Sequence, residues 1–443
     1  MVDAGLGNTS WIIDLGDARL AVVDPGRHPG PFLAEAERRG ARIAFSIETH
    51  LHADFVTGSR ELAAFGATVV AAAGADLAWA SQPVAGGDTA DLGGLTLRAL
   101  PTPGHTPEHL AYLLADGDQI LGVFTGGSLL VGAVARTDLI APDVTEALTR
   151  AMWRSIQGEL LTLPDDTRVY PTHGAGSFCS APAIERRWTT IGDERRTNPL
   201  LAAPDEDAFV KVLLASLGTY PPYFAHLRNV NRAGPDVLGV PQPGLPVLDL
   251  AAFRGHFEAG AVLVDTRPVE AWAAGHIPGA LANPLRPEFA SWLGWLVERD
   301  RPLLFVVGPD QDRAELVRQC HQIGHDHLVG ELAGGTTAWM TAGLPLRRTD
   351  LVDAARVGGA VLDVRQDSEY DAGHLPGATH VELGRLPAVA SEHSDITAVM
   401  CGHGERASTA ASILERAGHP AVTVVVGGPA EWAAGTGQCL ASR

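Results

Sequence analysis

Apolar residues fall along this chain in short runs, and the spacing within and after each run sets the expected element. Trp11–Leu15 and Leu20–Val23 read as two strands joined by a turn at Gly16-Asp17, and Asp24-Pro25-Gly26 breaks the pattern. Phe32–Arg39 reads as a helix, Ile43–Thr49 and Leu95–Leu100 as strands, and Phe209–Leu217 as a helix again. Asn229–Pro246 contains Gly234-Pro235 and Pro241-Gln242-Pro243-Gly244 and reads as a linker. Further on, Ile396–Met400 is a short apolar run of the kind that makes a buried strand. From Ala407 the spacing turns helical: Ala410, Ile413, Leu414 and Ala417 share one face, and Gly418 is a stop.

After the linker the chain contains itself twice. Val262-Leu263-Val264-Asp265-Thr266-Arg267 matches Val361-Leu362-Asp363-Val364-Arg365, and Ala274-Gly275-His276-Ile277-Pro278-Gly279 matches Ala372-Gly373-His374-Leu375-Pro376-Gly377. Arg313 matches Arg406, and Gly334-Gly335 with Trp339 matches Gly427-Gly428 with Trp432. Strands alternate with helical patterns in both copies, which predicts parallel sheets covered by helices. The expected domains are therefore 1–230, a linker 231–246, and two repeats over 247–348 and 349–443.

The length of 443 residues calls for several domains, and 46% apolar with 19% charged residues is a globular composition. A net charge of −19 argues against nucleic acid or an anionic membrane surface as partner. No run is long and apolar enough to span a membrane, and the N-terminus lacks a signal-peptide pattern. Cys179, Cys320, Cys401 and Cys439 have neither metal nor disulfide spacing. A reducing cytoplasm is the expected compartment.

Two clusters carry candidate chemistry. In the first, Cys401 ends a strand and is followed by Gly402-His403-Gly404-Glu405-Arg406 at the start of a helix. Backbone N–H groups at a helix N-terminus and a nearby guanidinium favour an anion, and a thiolate is the nucleophilic form of cysteine. The plainer reading of a lone cysteine is a packing residue. The Cys-x-x-Gly-x-Arg loop resembles the active loop of rhodanese sulfurtransferases, and each repeat resembles a rhodanese domain. The resemblance implies that Cys401 accepts sulfane sulfur as a persulfide, that Gly402, His403, Gly404 and Glu405 form the substrate cradle, and that Arg406 assists an anionic donor. Cys-based phosphatases share the arrangement with a loop one residue longer; the tighter loop here suits sulfur. In the first repeat Gly308 stands where the cysteine would be, five residues before Arg313, so that copy is expected to be catalytically silent.

The second cluster is histidine at strand ends. His50 and His52 are two residues apart with Asp54 beyond them, His105 follows a strand in Pro103-Gly104-His105-Thr106, and His173 follows another in Tyr170-Pro171-Thr172-His173. Imidazoles converging near a carboxylate make a metal site. The pattern resembles the metallo-β-lactamase fold, and within it the persulfide dioxygenase and glyoxalase II branch. Thr125-Gly126-Gly127-Ser128 and Thr190-Ile191-Gly192-Asp193-Glu194-Arg195 resemble further blocks of that branch. Two positions depart from it: Phe55 replaces the last histidine of the His-x-His-x-Asp-His motif, and Gly127 replaces an aspartate. The resemblance implies iron held by the equivalents of His50, His105 and the missing aspartate. Without that carboxylate, at most one site for Fe(II) or Zn(II) is expected, on His50, His52 and His105, with Asp54 and His173 as further candidates, or none.

Together these readings give an α/β multidomain protein: an N-terminal αββα metallo-β-lactamase-like sandwich, then two rhodanese-like parallel-sheet α/β domains. The expected function is sulfane-sulfur transfer through Cys401, fused to a persulfide dioxygenase-like domain with a degenerate metal site. The alternatives are an active iron-dependent persulfide dioxygenase coupled to the rhodanese, or a non-enzymatic sulfur carrier. The expected partner is a small-molecule thiol persulfide or thiosulfate, and the resemblance admits a homodimer.

Overall fold

The structure, a computed structural model, describes residues 1–179, 185–420 and 422–442. Residues divide into two compact units, one made of Met1–Pro243 with the short piece His321–Gly324, the other of the remainder from Gly244 onward.

Among the described residues, the first unit has a small two-stranded sheet, Val2–Asp3 with Asn8–Thr9, and two large ones. One has five strands in sequence order, Trp11–Gly16, Arg19–Val23, Arg42–Ile47, Thr68–Ala72 and Gln82–Val84. The other has six, running Thr189–Thr190, Arg168–Pro171, Gln119–Gly126, Leu110–Asp116, Thr96–Pro101 and Thr89–Asp91. Because side chains alternate along a strand, one run of apolar residues serves two cores. Leu110, Tyr112 and Leu114 face the first sheet, with Ile13, Val23, Ile47 and Val70. Ala111 and Leu113 face outward and are covered by Met152, Ile156, Phe209 and Leu213. Across the first sheet, Leu20, Val22 and Ile43 are covered by Phe32 and Ala36 of the helix Gly30–Arg38. Helix, sheet, sheet, helix is the expected αββα sandwich.

The second unit holds two five-stranded, all-parallel sheets with the same strand order. In the first repeat it runs Val247–Leu248, Leu328–Leu332, Leu303–Val306, Val262–Asp265, Leu281–Ala282. In the second it runs Leu351–Asp353, Thr423–Val426, Ala398–Met400, Val361–Asp363, Thr379–His380. The repeated motifs do the same work in each copy. Arg267 bonds Asp265 and the Gly275 carbonyl, while Arg365 bonds Asp363 and the Gly373 carbonyl. His276 and His374 each use Nδ1 on the carbonyl four residues earlier, at 3.1 and 2.9 Å. No helix among the described residues is long and apolar enough to cross a membrane.

One segment departs from the sequence reading. The stretch from Asn229, read as linker, begins inside the helix Phe224–Ala233. Asn231 is buried there, and its amide finds partners in the loop that carries the histidines. A buried polar residue with all its partners supplied does not show as an apolar stripe, so the helix was not legible.

Candidate functional site

His50, His105 and His173 each follow the end of a strand, on loops that meet at one edge of the sandwich; all three are buried. Their donor nitrogens lie within 4.8 Å of one another, and the Nε2 atoms of His50 and His173 are 3.4 Å apart. What binds the opposite ring nitrogen fixes which one keeps a lone pair. His105 Nδ1 lies 2.7 Å from the Arg136 carbonyl, which can only accept, so Nδ1 carries the proton. The Thr49 hydroxyl donates to Asp24 Oδ2 at 2.7 Å, so His50 Nδ1 donates to Thr49 Oγ1 at 2.8 Å. His173 Nδ1 faces two acceptors, Asn8 Oδ1 at 3.0 Å and Asp54 Oδ2 at 3.3 Å. All three rings therefore present Nε2 as an unprotonated donor.

Electrostatics agree for His50 and His105. Burial, then neighbouring imidazoles, pushes His50 far below the usual histidine range and His105 down to about 3, so both are neutral. Burial would raise the Asp54 carboxyl, but His173, with His52 and Asn8, outweighs it and holds it down at about 2.

His52 takes a different place from the one its spacing implied. Its Nε2 lies 3.2 Å from Asp24 Oδ1 and 3.3 Å from Glu48 Oε2, and Phe55 stacks on it at 4.2 Å. Burial alone would lower its pKa; Asp24 and Glu48 overrule that and raise it to about 10. His173 comes within donor reach of His50 and His105, while His52 groups with Asp24 and His50 and faces two buried carboxylates. Sequence reasoning missed those carboxylates. Asp24 was read only as part of a turn, and Glu48 as a strand residue.

Gly127 supplies no ligand and leaves no gap. A Cβ built there would lie 2.5 Å from His105 Cδ2, and its N–H donates to His109 Nε2 at 3.0 Å. His109, four residues after His105, was also missed; it stacks on His50 at 4.9 Å. The ligand loop is held from behind. Asn231 Nδ2 donates to the carbonyls of His52 (2.8 Å) and Phe55 (2.9 Å), Asn231 Oδ1 accepts from Thr57 N–H (2.9 Å), and Tyr223 donates to the Asp54 carbonyl (3.0 Å).

A divalent ion fits this donor set. Nitrogens bound at about 2.1 Å in a tetrahedron stand about 3.4 Å apart, the spacing of His50 and His173 Nε2.

In the second unit, Cys401 is buried at the end of Ala398–Met400, and the helix Glu405–Arg416 begins four residues later. Cys401 Sγ accepts the Gly404 N–H at 3.1 Å, and Gly404 takes φ 121°, a left-handed conformation that favours glycine. A second loop comes close: a Cβ on Gly428 would lie 2.7 Å from the Gly402 carbonyl. Gly402 and Glu405 are half-buried and His403 is exposed. Arg406 does not reach freely into the loop. Its guanidinium bonds both oxygens of Glu369, at 2.6 and 2.8 Å, and lies 5.8 Å over Trp292 of the first repeat. That repeat also grips the Cys401 helix directly, through His276 on Glu415 (3.0 Å) and Ala282 N–H on Ser412 (3.0 Å).

The corresponding loop of the first repeat is plugged. Gln311 Oε1 accepts from Gly308 N–H at 2.8 Å and the Thr266 hydroxyl at 2.9 Å. Arg313 turns inward onto the carbonyls of Gly308 and Gln311, both at 2.7 Å, and pairs with Glu331 at 3.0 Å. An open hollow of about 750 Å³ remains above this loop.

Comparison with known proteins agrees with this division. A rhodanese-like domain model matches residues 249–342 and 348–435. Over 206 residues, 45% of this chain, the sequence is 31% identical to the mitochondrial persulfide dioxygenase ETHE1 of Homo sapiens and spans 74% of that protein; it spans 62% of the Bos taurus counterpart. It is 35% identical over 161 residues to a hydroxyacylglutathione hydrolase of Methylococcus capsulatus, covering 36% of this chain and 58% of that one. Among solved structures, a metallo-beta-lactamase from Staphylococcus aureus matches with a TM-score of 0.67 at 26% identity, covering 75% of this chain and 97% of its own. The chain therefore belongs to the persulfide dioxygenase–rhodanese fusions, with a metallo-β-lactamase-fold domain followed by two rhodanese-like domains, the first of which has Gly308 in the cysteine position.

Proposed function

We infer that this protein transfers sulfane sulfur through Cys401. The observation that carries the reading is the Cys401 thiol at the start of a twelve-residue helix, its Sγ already receiving a backbone N–H from Gly404. The loop amides stabilise the thiolate and, later, the added sulfur. With thiosulfate as donor, the Cys401 thiolate attacks the outer sulfur. An S–S bond forms to Sγ, the donor's S–S bond breaks, and its electron pair leaves on sulfite. An acceptor thiolate or cyanide then attacks the outer sulfur of the persulfide, and the Cys401 thiolate leaves. A low-molecular-weight thiol persulfide serves in the same way, with thiolate as the leaving group. The transfer needs a compartment reducing enough to keep Cys401 a thiol.

The role of Arg406 is tempered by Glu369. Its charge is balanced within the fold, so it orients a donor at the loop more than it attracts one from solution. The plugged first repeat is a clamp on the Cys401 helix.

The N-terminal domain holds at most one ion, on its converging imidazoles. Bound there, such an ion supplies a Lewis acid for a persulfide sulfur or a water molecule. Thr49, Asn8 and the Arg136 carbonyl fix the imidazole tautomers, and the paired, cationic His52 stays outside the donor set.

The test is Cys401→Ser. Sulfur transfer from thiosulfate to cyanide is expected to vanish while the circular dichroism spectrum stays that of the parent. Transfer retained at the parent rate refutes the reading.

A further inference from the structure

We propose that the metal centre of the N-terminal domain is all-imidazole, formed by His50, His105 and His173, and that it takes one zinc-type divalent ion rather than the ferrous ion of a two-histidine, one-carboxylate site. This rests on the reading that the domain binds an ion; it does not depend on sulfur transfer at Cys401.

Among the described residues, three overlapping groups of side chains could hold an ion: His50 with His105 and His173, Asp24 with His50 and His52, and His52 with Asp54 and His173. Hydrogen bonding separates them. In the second group, Asp24 Oδ1 already accepts the Thr49 N–H, and Oδ2 accepts the hydroxyls of both Thr49 and Thr172. The lone pair of His50 is on Nε2, while the nitrogen next to Thr49 carries its proton. In the third group, His173 turns its protonated Nδ1 toward Asp54, so its lone pair points away from that carboxylate and toward His50. Only the first group brings three lone pairs together.

The carboxylate route is closed by packing as well as by sequence. The space beside Gly127 is filled by the His105 ring, 2.5 Å from where a Cβ would stand, and its N–H is used by His109. Phe55 covers His52 and adds no donor. Three neutral nitrogens leave the full charge on the ion and one coordination position for an outside ligand, an arrangement that suits zinc. Iron oxygenases instead use two histidines and a carboxylate, and ferrous iron binds nitrogen sites more weakly than zinc. The outside ligand that matches zinc here is a soft sulfur anion, a thiolate or persulfide.

The experiment uses the full chain, stripped of metal and titrated with Zn(II), Co(II) and Fe(II), with metal content measured after dialysis. One zinc per chain is expected, with iron displaced by zinc. His173→Ala is expected to weaken zinc, measured by chelator competition, by at least about 100-fold, the upper range for losing a supporting residue. Sulfur transfer by that variant should be unchanged, which shows that the second unit is intact. His173→Cys gives a positive signal: its Co(II) form gains a thiolate-to-cobalt charge-transfer band absent from the parent, and this decides the matter if His173→Ala fails to fold. Zinc binding by His173→Ala within threefold of the parent overturns the ligand set, as does a His173→Cys protein that binds cobalt without the new band. Iron retained against equimolar zinc overturns the choice of ion. A parent protein that binds no metal overturns the proposal altogether while leaving the Cys401 reading standing.

Discussion

Restoring the missing carboxylate is the sharpest check on how the N-terminal site is built. If Gly127 were simply a lost ligand, Gly127→Asp would return it and strengthen metal binding. The structure gives the opposite expectation. A Cβ at 127 lies 2.5 Å from His105 Cδ2, whereas carbon atoms rest at about 3.5–4.0 Å, so the ring must move by about 1 Å. That ring is buried and tied by a 2.7 Å bond to the Arg136 carbonyl, which a shift of this size breaks. Overpacking a core costs about 1–3 kcal/mol, and a buried hydrogen bond left unmade costs about 1–3 kcal/mol more. Combined, the loss is roughly 2–6 kcal/mol, or a fall of about 4–24 °C in the unfolding transition of a domain this size. Gly127→Ala should show most of the same fall, since the overlap lies at Cβ and not in the charge. Calorimetry on parent, Gly127→Ala and Gly127→Asp, with metal content alongside, makes the comparison. A Gly127→Asp protein that melts with the parent and holds more iron refutes the packing argument.

Three further outcomes follow from the second unit. Glu369→Gln removes the charge that balances Arg406, so the KM for thiosulfate should fall by about 1.5–5-fold, the worth of a rim charge of about 0.2–1 kcal/mol; an unchanged or higher KM contradicts the pairing. Glu415 is paired with His276: burial raises its carboxyl, but His276 outweighs this and holds it below the ordinary 4.5. The pair therefore contributes stability above the unfolded value and loses it as pH falls through the folded one. Glu415→Gln should lower the urea midpoint of the second unit at neutral pH and flatten its acid limb, and parallel pH profiles for parent and variant would refute this. Gly308→Cys in a Cys401→Ser background should show no sulfur transfer, because Gln311 Oε1 stands 3.2 Å from the new Cβ and Arg313 occupies the loop carbonyls; measurable cyanolysis would show the loop is not blocked.

Much of the fold was written in local pattern. The doubled Asp–Arg and Gly-His motifs recur with the same bonds in both repeats. Short elements were read to within a residue or two: the strand expected over Ile396–Met400 is Ala398–Met400, and the helix expected from Ala407 begins at Glu405. What stayed hidden depends on long-range partners. Glu369 lies 37 residues from Arg406 in sequence, and no spacing rule links them. Asp24, far from His52 in the sequence, lies 3.2 Å from its ring, and no spacing rule announces that pair. His173 could be suspected from its strand-end position, but its orientation is set by Asn8, at the far end of the domain's sequence.

The segment beyond residue 230 also bears on where such a fusion comes apart. A joint between two domains is where gene rearrangement cuts most cheaply, and by composition this stretch looks like one. Yet Asn231 locks the ligand loop, Arg60 holds the carbonyls of Gly234 and Pro235, and Glu61 accepts the N–H groups of Leu238 and Gly239. A cut after residue 230 severs every one of these ties. The stretch to Gly239 is therefore tied into the sandwich rather than a free joint, and a fragment ending at residue 230 loses the support behind the ligand loop.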